Sequence, residues 1–392
     1  MEIIYSDRIQ KTSAYPFAEV DKKVAELKKK GVEVIDFGVG DPKSPTPDFV
    51  IDSLSEFARK RSTHGYPSYI GDIEFRRAAS AYLNNNFGVD LNPETEISST
   101  IGAKEAVFNF PLGFINPGDI VICPTPGYPP YSTGTRFAGG EPYFVPLLEE
   151  NNYLIDFESI PNEIANRAKI IWTNYPNSPT GKMATREWLK KLCDWAEKYN
   201  IIIAADEGCY IDIYFDEKPL SQLQIKKEGV ITFYSLSKRN NMTGYRVGFV
   251  AGDKKIISGF RKVKTNIDSG TPLFIQDVAT LSLNNEIHAE NMRKSYKEKR
   301  NIMLNALKNA GLPEIQTEAT FYLWQKAPKG MTGVELAEKL LNLGIVVTPG
   351  EWISNPTTDG LNPGKNFVRF ALVPTMAEIQ KAADRIKKDL KL

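Results

Sequence analysis

Ile201-Ile202-Ile203-Ala204-Ala205-Asp206-Glu207 decides how this chain is read. Five apolar residues in succession, without the alternation of a half-solvated strand, describe a strand covered on both faces, as parallel sheets require. The two carboxylates that end it then fall at an edge of the sheet. The same pattern recurs on either side. Asp119-Ile120-Val121-Ile122, Ala168-Lys169-Ile170-Ile171-Trp172, Gly229-Val230-Ile231-Thr232-Phe233 and Val247-Gly248-Phe249-Val250-Ala251 are short apolar runs, with amphipathic stretches such as residues 185–199 between them. Strands and helices in alternation predict an α/β domain built on a mostly parallel sheet.

The flanks differ from this middle. Residues 18–30 carry Val20, Val24 and Leu27 at helical spacing, and Gly31 closes that helix before a strand over residues 32–37. Towards the other end, a long charged helical stretch over 286–310, strands over 319–324 and 367–372, and a closing helix from Met376 predict a smaller α+β domain. The expected division is a large domain over 41–281 and a small domain from 1–40 together with 282–392.

Composition narrows the function. A chain of 392 residues, 42% apolar, has the material for a large core. A net charge of +1 gives no electrostatic reason to expect nucleic acid or a membrane surface as partner. Cys123, Cys193 and Cys209 are odd in number and far apart, unlike a disulfide framework, which predicts a cytoplasmic protein. The opening Met1-Glu2-Ile3-Ile4-Tyr5-Ser6-Asp7-Arg8 has no signal-peptide core, and no apolar run nears the roughly 20 residues of a membrane span. Gly38-Val39-Gly40 lacks the third glycine of a dinucleotide fingerprint, and no Walker lysine loop occurs. His288-Ala289-Glu290 is similar to a deaminase triplet, but no cysteine pair follows, so no metal is expected.

Ligands of open α/β sheets bind beyond the carboxyl ends of the strands. Three strand ends here are rich in chemistry: Asn174-Tyr175-Pro176-Asn177-Ser178-Pro179-Thr180-Gly181, Asp206-Glu207-Gly208-Cys209-Tyr210, and Ser235-Leu236-Ser237-Lys238. Asn241-Met242-Thr243-Gly244-Tyr245-Arg246 follows the last of them and sets a guanidinium ahead of the next strand. On these motifs the chain resembles, over nearly its whole length, the class I and II aminotransferases of the aspartate-aminotransferase fold, which is PLP-transferase fold type I.

The resemblance implies pyridoxal 5'-phosphate and a role for each residue. Lys238 would hold the cofactor as a Schiff base and, once freed by substrate, move a proton at the substrate Cα. Asp206 would answer the protonated pyridine nitrogen; a carboxylate behind five apolar residues is costly to place unless some cation meets it. The family tyrosine that bonds the ring oxygen stands three residues after this aspartate, where the chain has Cys209. Tyr210, one residue later, is given that role. The family asparagine stands directly before Pro-Thr-Gly, where the chain has Ser178; Asn177 is taken as the site residue, with Ser178 left as the alternative. Gly102, Ala103 and Lys104, at a turn into a helix, would meet the phosphate together with Ser235, Ser237 and Arg246. Tyr128 would stack on the ring. Tyr66 would reach the phosphate of a neighbouring subunit, which implies a homodimer with shared sites. Arg369, whose planar fork suits a carboxylate, Gly40 and Tyr15 would bind substrate, an amino acid or keto acid.

Taken singly, most of these residues have plainer uses. Lys238 is one of 49 basic residues, Gly102 and Asn177 are turn formers, and Tyr15 and Tyr128 are aromatics that any core could use. Their joint placement at strand ends carries the reading. The finer resemblance is to diaminopimelate aminotransferases. Asn241-Met242-Thr243-Gly244 is similar to enzymes acting on free LL-diaminopimelate. Glu141-Pro142-Tyr143-Phe144-Val145 and Asn362-Pro363-Gly364-Lys365-Asn366-Phe367-Val368-Arg369 are similar to those using the N-succinylated compound. The expected reaction is transfer between LL-diaminopimelate and 2-oxoglutarate, with N-succinyl-LL-diaminopimelate or aspartate as alternative donors. A carbon–sulfur lyase or acyl-transferring synthase would share the cofactor motifs. A ligand-sensing regulator would need a DNA-binding segment, and none is read in residues 1–11.

Overall fold

Seven strands form the central sheet: β1 Ile97–Thr100, β2 Ile120–Thr125, β3 Glu141–Pro146, β4 Ala168–Thr173, β5 Ile202–Gly208, β6 Val230–Ser235 and β7 Gly248–Gly252. The computed structural model describes residues 1, 3–10, 18–29, 31–61 and 64–392. Across the sheet the order is β1-β7-β6-β5-β4-β2-β3, and only β7 runs against its neighbours.

The apolar runs are buried on both faces, as their lack of alternation predicts. Ile203 and Ala205 enter one core with Ile122, Ile171 and Phe249; Ala204 enters the opposite core with Val121, Ile170, Trp172 and Phe233. Helix Arg186–Tyr199 shows how the layers are made. Its buried Leu189, Leu192, Cys193 and Ala196 share one face, Thr185 caps its first turn by accepting from Trp188 N, and Asn200 closes it at φ 56°.

The one reversed strand positions the site. Residues 236–247 join β6 to β7, which pair antiparallel and set Ser235 opposite Gly248. The linking loop, with Lys238 and Arg246, therefore stays at the edge of the sheet where β5 carries Asp206 near its end.

A second core gathers Ile35 and Phe37 with residues from the last hundred, among them Leu323, Leu336, Val368, Phe370 and Ile379. Thr348–Pro349, Phe367–Ala371 and Tyr322–Lys326 form a three-stranded antiparallel sheet there, beside helices Glu286–Asn309, Gly333–Asn342 and Met376–Asp389. Ile213 and Phe215, which follow β5, belong to the same core.

Some elements differ from expectation. The strand expected over 319–324 begins only at Tyr322, because Thr320 takes a left-handed φ of 66° and its amide donates to Ile213 O instead. The strand expected over 32–37 is paired only at Ile35–Asp36, against Ile345–Val346. Strands β1 and β3 are not among the expected apolar runs. β1 reads Ile-Ser-Ser-Thr, and β3 is an edge strand interrupted by Pro142, a position that suits proline.

Candidate active site

The neighbouring carboxylates that end β5 point to opposite faces and meet opposite conditions. Glu207, 3% exposed, accepts from Ser221 Oγ, from Gln222 N at 2.9 Å and from the Tyr234 hydroxyl at 2.6 Å. Burial pushes its carboxyl up to about 7 against these three contacts. Asp206, 4% exposed, accepts from the Tyr131 hydroxyl at 2.7 Å through Oδ2, while its Oδ1 is buried with no hydrogen-bond partner among the described residues. Burial pushes this carboxyl up to about 6, with Tyr131 and the Cys209 thiol opposing. Glu207 is a satisfied structural group; Asp206 keeps an oxygen for a donor.

What surrounds Asp206 is rigid. The Tyr131 ring lies stacked on fully buried Trp172, centroids 4.7 Å apart. Asn174 donates to the Asp206 carbonyl at 2.5 Å and accepts from Ser178 N at 2.8 Å, which ties the turn after β4 to the end of β5. In that turn Asn177 is 1% exposed and its Oδ1 accepts from Thr180 N and Oγ1, so its carbonyl oxygen shapes the turn. Tyr128 stands edge-on to Tyr131 at 5.8 Å and is 38% exposed, the open wall of the site.

Lys238 sits in the short helix Leu236–Arg239, begun by Ser235, whose hydroxyl accepts from Ser237 N and donates to Ser237 Oγ at 2.9 Å. Its ammonium donates to Gly40 O at 2.5 Å. Cys209 joins the groups electrically: burial and Asp206 raise its thiol pKa, while Lys238 and Arg246 lower it. Arg246, at φ 54°, donates to Thr243 O at 2.7 Å and to Ile101 O at 3.4 Å. Gly102 makes room for it. A Cβ there would lie 2.5 Å from Arg246 Nη2, and its φ of 72° also demands glycine. Ala103 is buried and Lys104 exposed at the start of the helix that follows.

On the second core's side, Arg369 Nη2 donates to Gly38 O at 2.9 Å, the guanidinium lies 4.6 Å from the Tyr322 ring centre, and Nε is buried without a partner. The Tyr322 hydroxyl is 3.2 Å from that of Tyr210. It also stands where a side chain on Gly40 would be, 1.9 Å from a Cβ placed there.

The structure thus brings Asp206, Tyr128, Lys238, Arg246 and Gly102 to one edge of the sheet, with Gly40, Tyr210 and Arg369 linked to Lys238 through Gly40 and Tyr322. Tyr66 stands apart at 87% exposure, with its ring outside the core. Tyr15 lies outside the described residues. Tyr131 and Tyr322 are parts of the site that sequence reasoning missed. Tyr131, one helical turn beyond Tyr128, had a periodic signal; Tyr322 looked like any aromatic in a strand.

A family model described as aminotransferase class I and II matches residues 32–386. The LL-diaminopimelate aminotransferase of Aquifex aeolicus (strain VF5) is 46% identical over 393 residues, which is 99% of each chain. That of Halothermothrix orenii (strain H 168) is 42% identical over 388 residues, 97% of each. Among solved structures, substrate-bound BacF from Bacillus subtilis has a TM-score of 0.90 at 34% identity, covering 99% of this chain and 98% of that one. A single mutant of Thermus thermophilus aspartate aminotransferase has a TM-score of 0.90 at 26% identity, covering 99% and 100%. The reading from the strand ends and these full-length likenesses agree: the chain has the aspartate-aminotransferase fold and belongs to the class I and II aminotransferases.

Proposed function

We propose that this enzyme transfers an amino group between LL-diaminopimelate and 2-oxoglutarate with pyridoxal 5'-phosphate, as a cytoplasmic homodimer with shared sites. The open Oδ1 of Asp206 carries the cofactor reading: a buried carboxylate with one unpartnered oxygen, at the sheet edge that bears Lys238, fits a protonated ring nitrogen. The substrate rests on the full-length relatives named LL-diaminopimelate aminotransferase. Pyridoxal phosphate, when bound, supplies an electron-accepting ring and takes up the amino group between the two half-reactions.

The residues divide the work. Asp206 keeps its charge opposite the ring nitrogen, held by Tyr131, and Tyr128 covers the ring. Gly102, Ala103, Lys104, Ser235, Ser237 and Arg246 line the phosphate end, where the Gly102 backbone leaves Arg246 its place. Tyr210 and either Asn177 or Ser178 serve the ring oxygen. Asn177 has its carbonyl oxygen held by Thr180, which leaves the amide N–H as the donor it can offer, while Ser178 offers a half-buried hydroxyl. Lys238 Nζ removes a proton from the substrate Cα and returns one, and in its free form donates to Gly40 O. Arg369 spends only Nη2 on Gly38 and Thr348, so Nη1 remains for the α-carboxylate beside Gly40. We read 41–281 as the cofactor domain and 1–40 with 282–392 as the small one; the separate cores support this, with Ile213 and Phe215 reaching across. Free Cys123, Cys193 and Cys209 support a reducing compartment. The exposed Tyr66 ring supports a subunit contact.

The test is glutamate formation from 2-oxoglutarate with LL-diaminopimelate, N-succinyl-LL-diaminopimelate and aspartate in parallel. LL-diaminopimelate should give the highest kcat/KM, and Lys238→Ala should lose both turnover and the visible cofactor absorbance. Product without a keto acid would mean a lyase, and a coloured, active Lys238→Ala would remove Lys238 from its role.

A further inference from the structure

A groove of about 330 Å³ opens where residues 44–48, the loop residue Asn241 and helix Glu286–Asn309 meet. Its lining is chemically unbalanced. Lys299 is 3% exposed, with its ammonium 5.3 Å from the Tyr296 ring centre and no hydrogen bond or carboxylate within 4 Å among the described residues. Burial lowers the Lys299 pKa, opposed by Glu378 from beyond ion-pair distance; both hydrogen bonds that this carboxylate accepts from Thr375 fall on Oε2. An ammonium on so nearly buried a side chain, with no ion pair among the described residues, is better matched by an anion than by water alone.

The other end of the groove asks for a donor. Asn241 gives its amide nitrogen to Pro45 O at 3.3 Å, and Thr46 Oγ1 pins its main-chain carbonyl at 2.7 Å, so its side-chain Oδ1 is the acceptor left over. That oxygen is buried and unpartnered, as is His288 Nε2 on the same lining. The exposed Asp48 carboxylate stands at the rim. One lining thus offers a lone cation together with a lone carbonyl oxygen and a carboxylate.

We propose that this groove binds a free α-amino acid as the zwitterion, its carboxylate on Lys299 and its ammonium on Asn241 Oδ1 and Asp48. The site is separate from the Arg369 clamp, and its position gives it a consequence. Met292 and Tyr296 on the lining belong to the second core, while Asn241 on the lining is followed directly by Met242 of the first, so an occupant meets elements of both. Asn241 lies three residues beyond Lys238 in the same loop. An amino acid bound here therefore tethers that loop to helix Glu286–Asn309.

Equilibrium dialysis of labelled 2-methylalanine against the holoenzyme tests this. The probe is an α-amino acid without a hydrogen on Cα, so it cannot be transaminated. Saturable binding is expected, weakened roughly tenfold in Lys299→Met by loss of one charge-assisted contact and severalfold in Asp48→Asn, with turnover kept in both. Acetate and ethylamine, each with one of the two charges, should compete far less well. Equal affinity in both variants would place the probe in the substrate site and overturn the proposal, as would the lack of saturable binding. Acetate competing as well as the probe would overturn the zwitterion. Should Lys299→Met fail to fold, Asp48→Asn, on the exposed rim, decides alone.

Discussion

Asp206→Asn keeps the shape of the side chain and an acceptor for the Tyr131 hydroxyl but removes the charge. In the cofactor-free protein, burial raises this carboxyl from its ordinary 3.8 to about 6. The folded state therefore holds the proton more tightly than the unfolded chain. Its contribution to stability is complete below about pH 4 and is lost as pH rises through about 6. At about 1.4 kcal/mol per tenfold change in proton affinity, the ionised carboxylate costs the cofactor-free fold about 3 kcal/mol at neutral pH. Glu207 titrates in the same range, raised to about 7, but it is common to both proteins and drops out of the comparison. Urea unfolding should thus show cofactor-free Asp206→Asn more stable than its parent by about 3 kcal/mol at pH 8, with the difference fading towards pH 4. Pyridoxal phosphate should reverse the order, since its ring nitrogen is a counter-ion only for the carboxylate. A difference that does not change with pH, or a cofactor that stabilises both proteins equally, would refute the assignment of Asp206.

Three further outcomes are expected. In Gly40→Ala the new Cβ would lie 1.9 Å from the Tyr322 hydroxyl, so the phenol must leave Tyr210 and the Arg369 guanidinium; KM for both substrates should rise, and adding Tyr322→Phe should recover part of the loss in steady-state kinetics. Arg369→Lys keeps the charge without the fork, so titrations should show donor and keto acid weakened together, by about 2–5 kcal/mol where the pair is desolvated, with cofactor absorbance intact. If Tyr66 serves a neighbour's phosphate, mixing inactive Tyr66→Phe with inactive Lys238→Ala should restore partial activity through one intact site per hybrid dimer; sedimentation showing an active monomer would exclude this.

The central sheet was legible because its strands obey a local rule. Runs such as Ile201–Ala205 need apolar cover on both faces wherever they sit, and the polar residues behind them had to fall at the sheet edge. The strands that escaped lack that rule. Ile97–Thr100 is three-quarters hydroxyl or mixed in character and is held by its pairing with Gly248–Gly252, a partner far away in sequence. The strand expected from Ala319 failed on one backbone angle, the left-handed Thr320, that no apolar pattern encodes. The site divides in the same way. Lys238, Asp206 and Arg246 are fixed by where strands end, so their neighbourhood followed from the pattern. Which of Asp206 and Glu207 faces a ligand did not, because it depends on Ser221 and Tyr234 folding over one of them.

Gly40 shows why the substrate side was harder to read than the cofactor side. Its carbonyl accepts from Lys238 Nζ, while its missing side chain admits the hydroxyl of Tyr322. Tyr322 in turn lies under Arg369 and beside Tyr210, so one glycine joins Lys238, proposed to move the proton, to the guanidinium proposed for the carboxylate. A carboxylate drawn to Arg369 changes the charge felt by Tyr322, and any shift of that phenol is felt at Gly40, where the free lysine rests. If Arg369 holds the substrate carboxylate as proposed, binding there is expected to loosen the contact of Lys238 with Gly40 O. Tyr322 was the member not visible in the sequence, and its contact with Gly40 spans 282 residues.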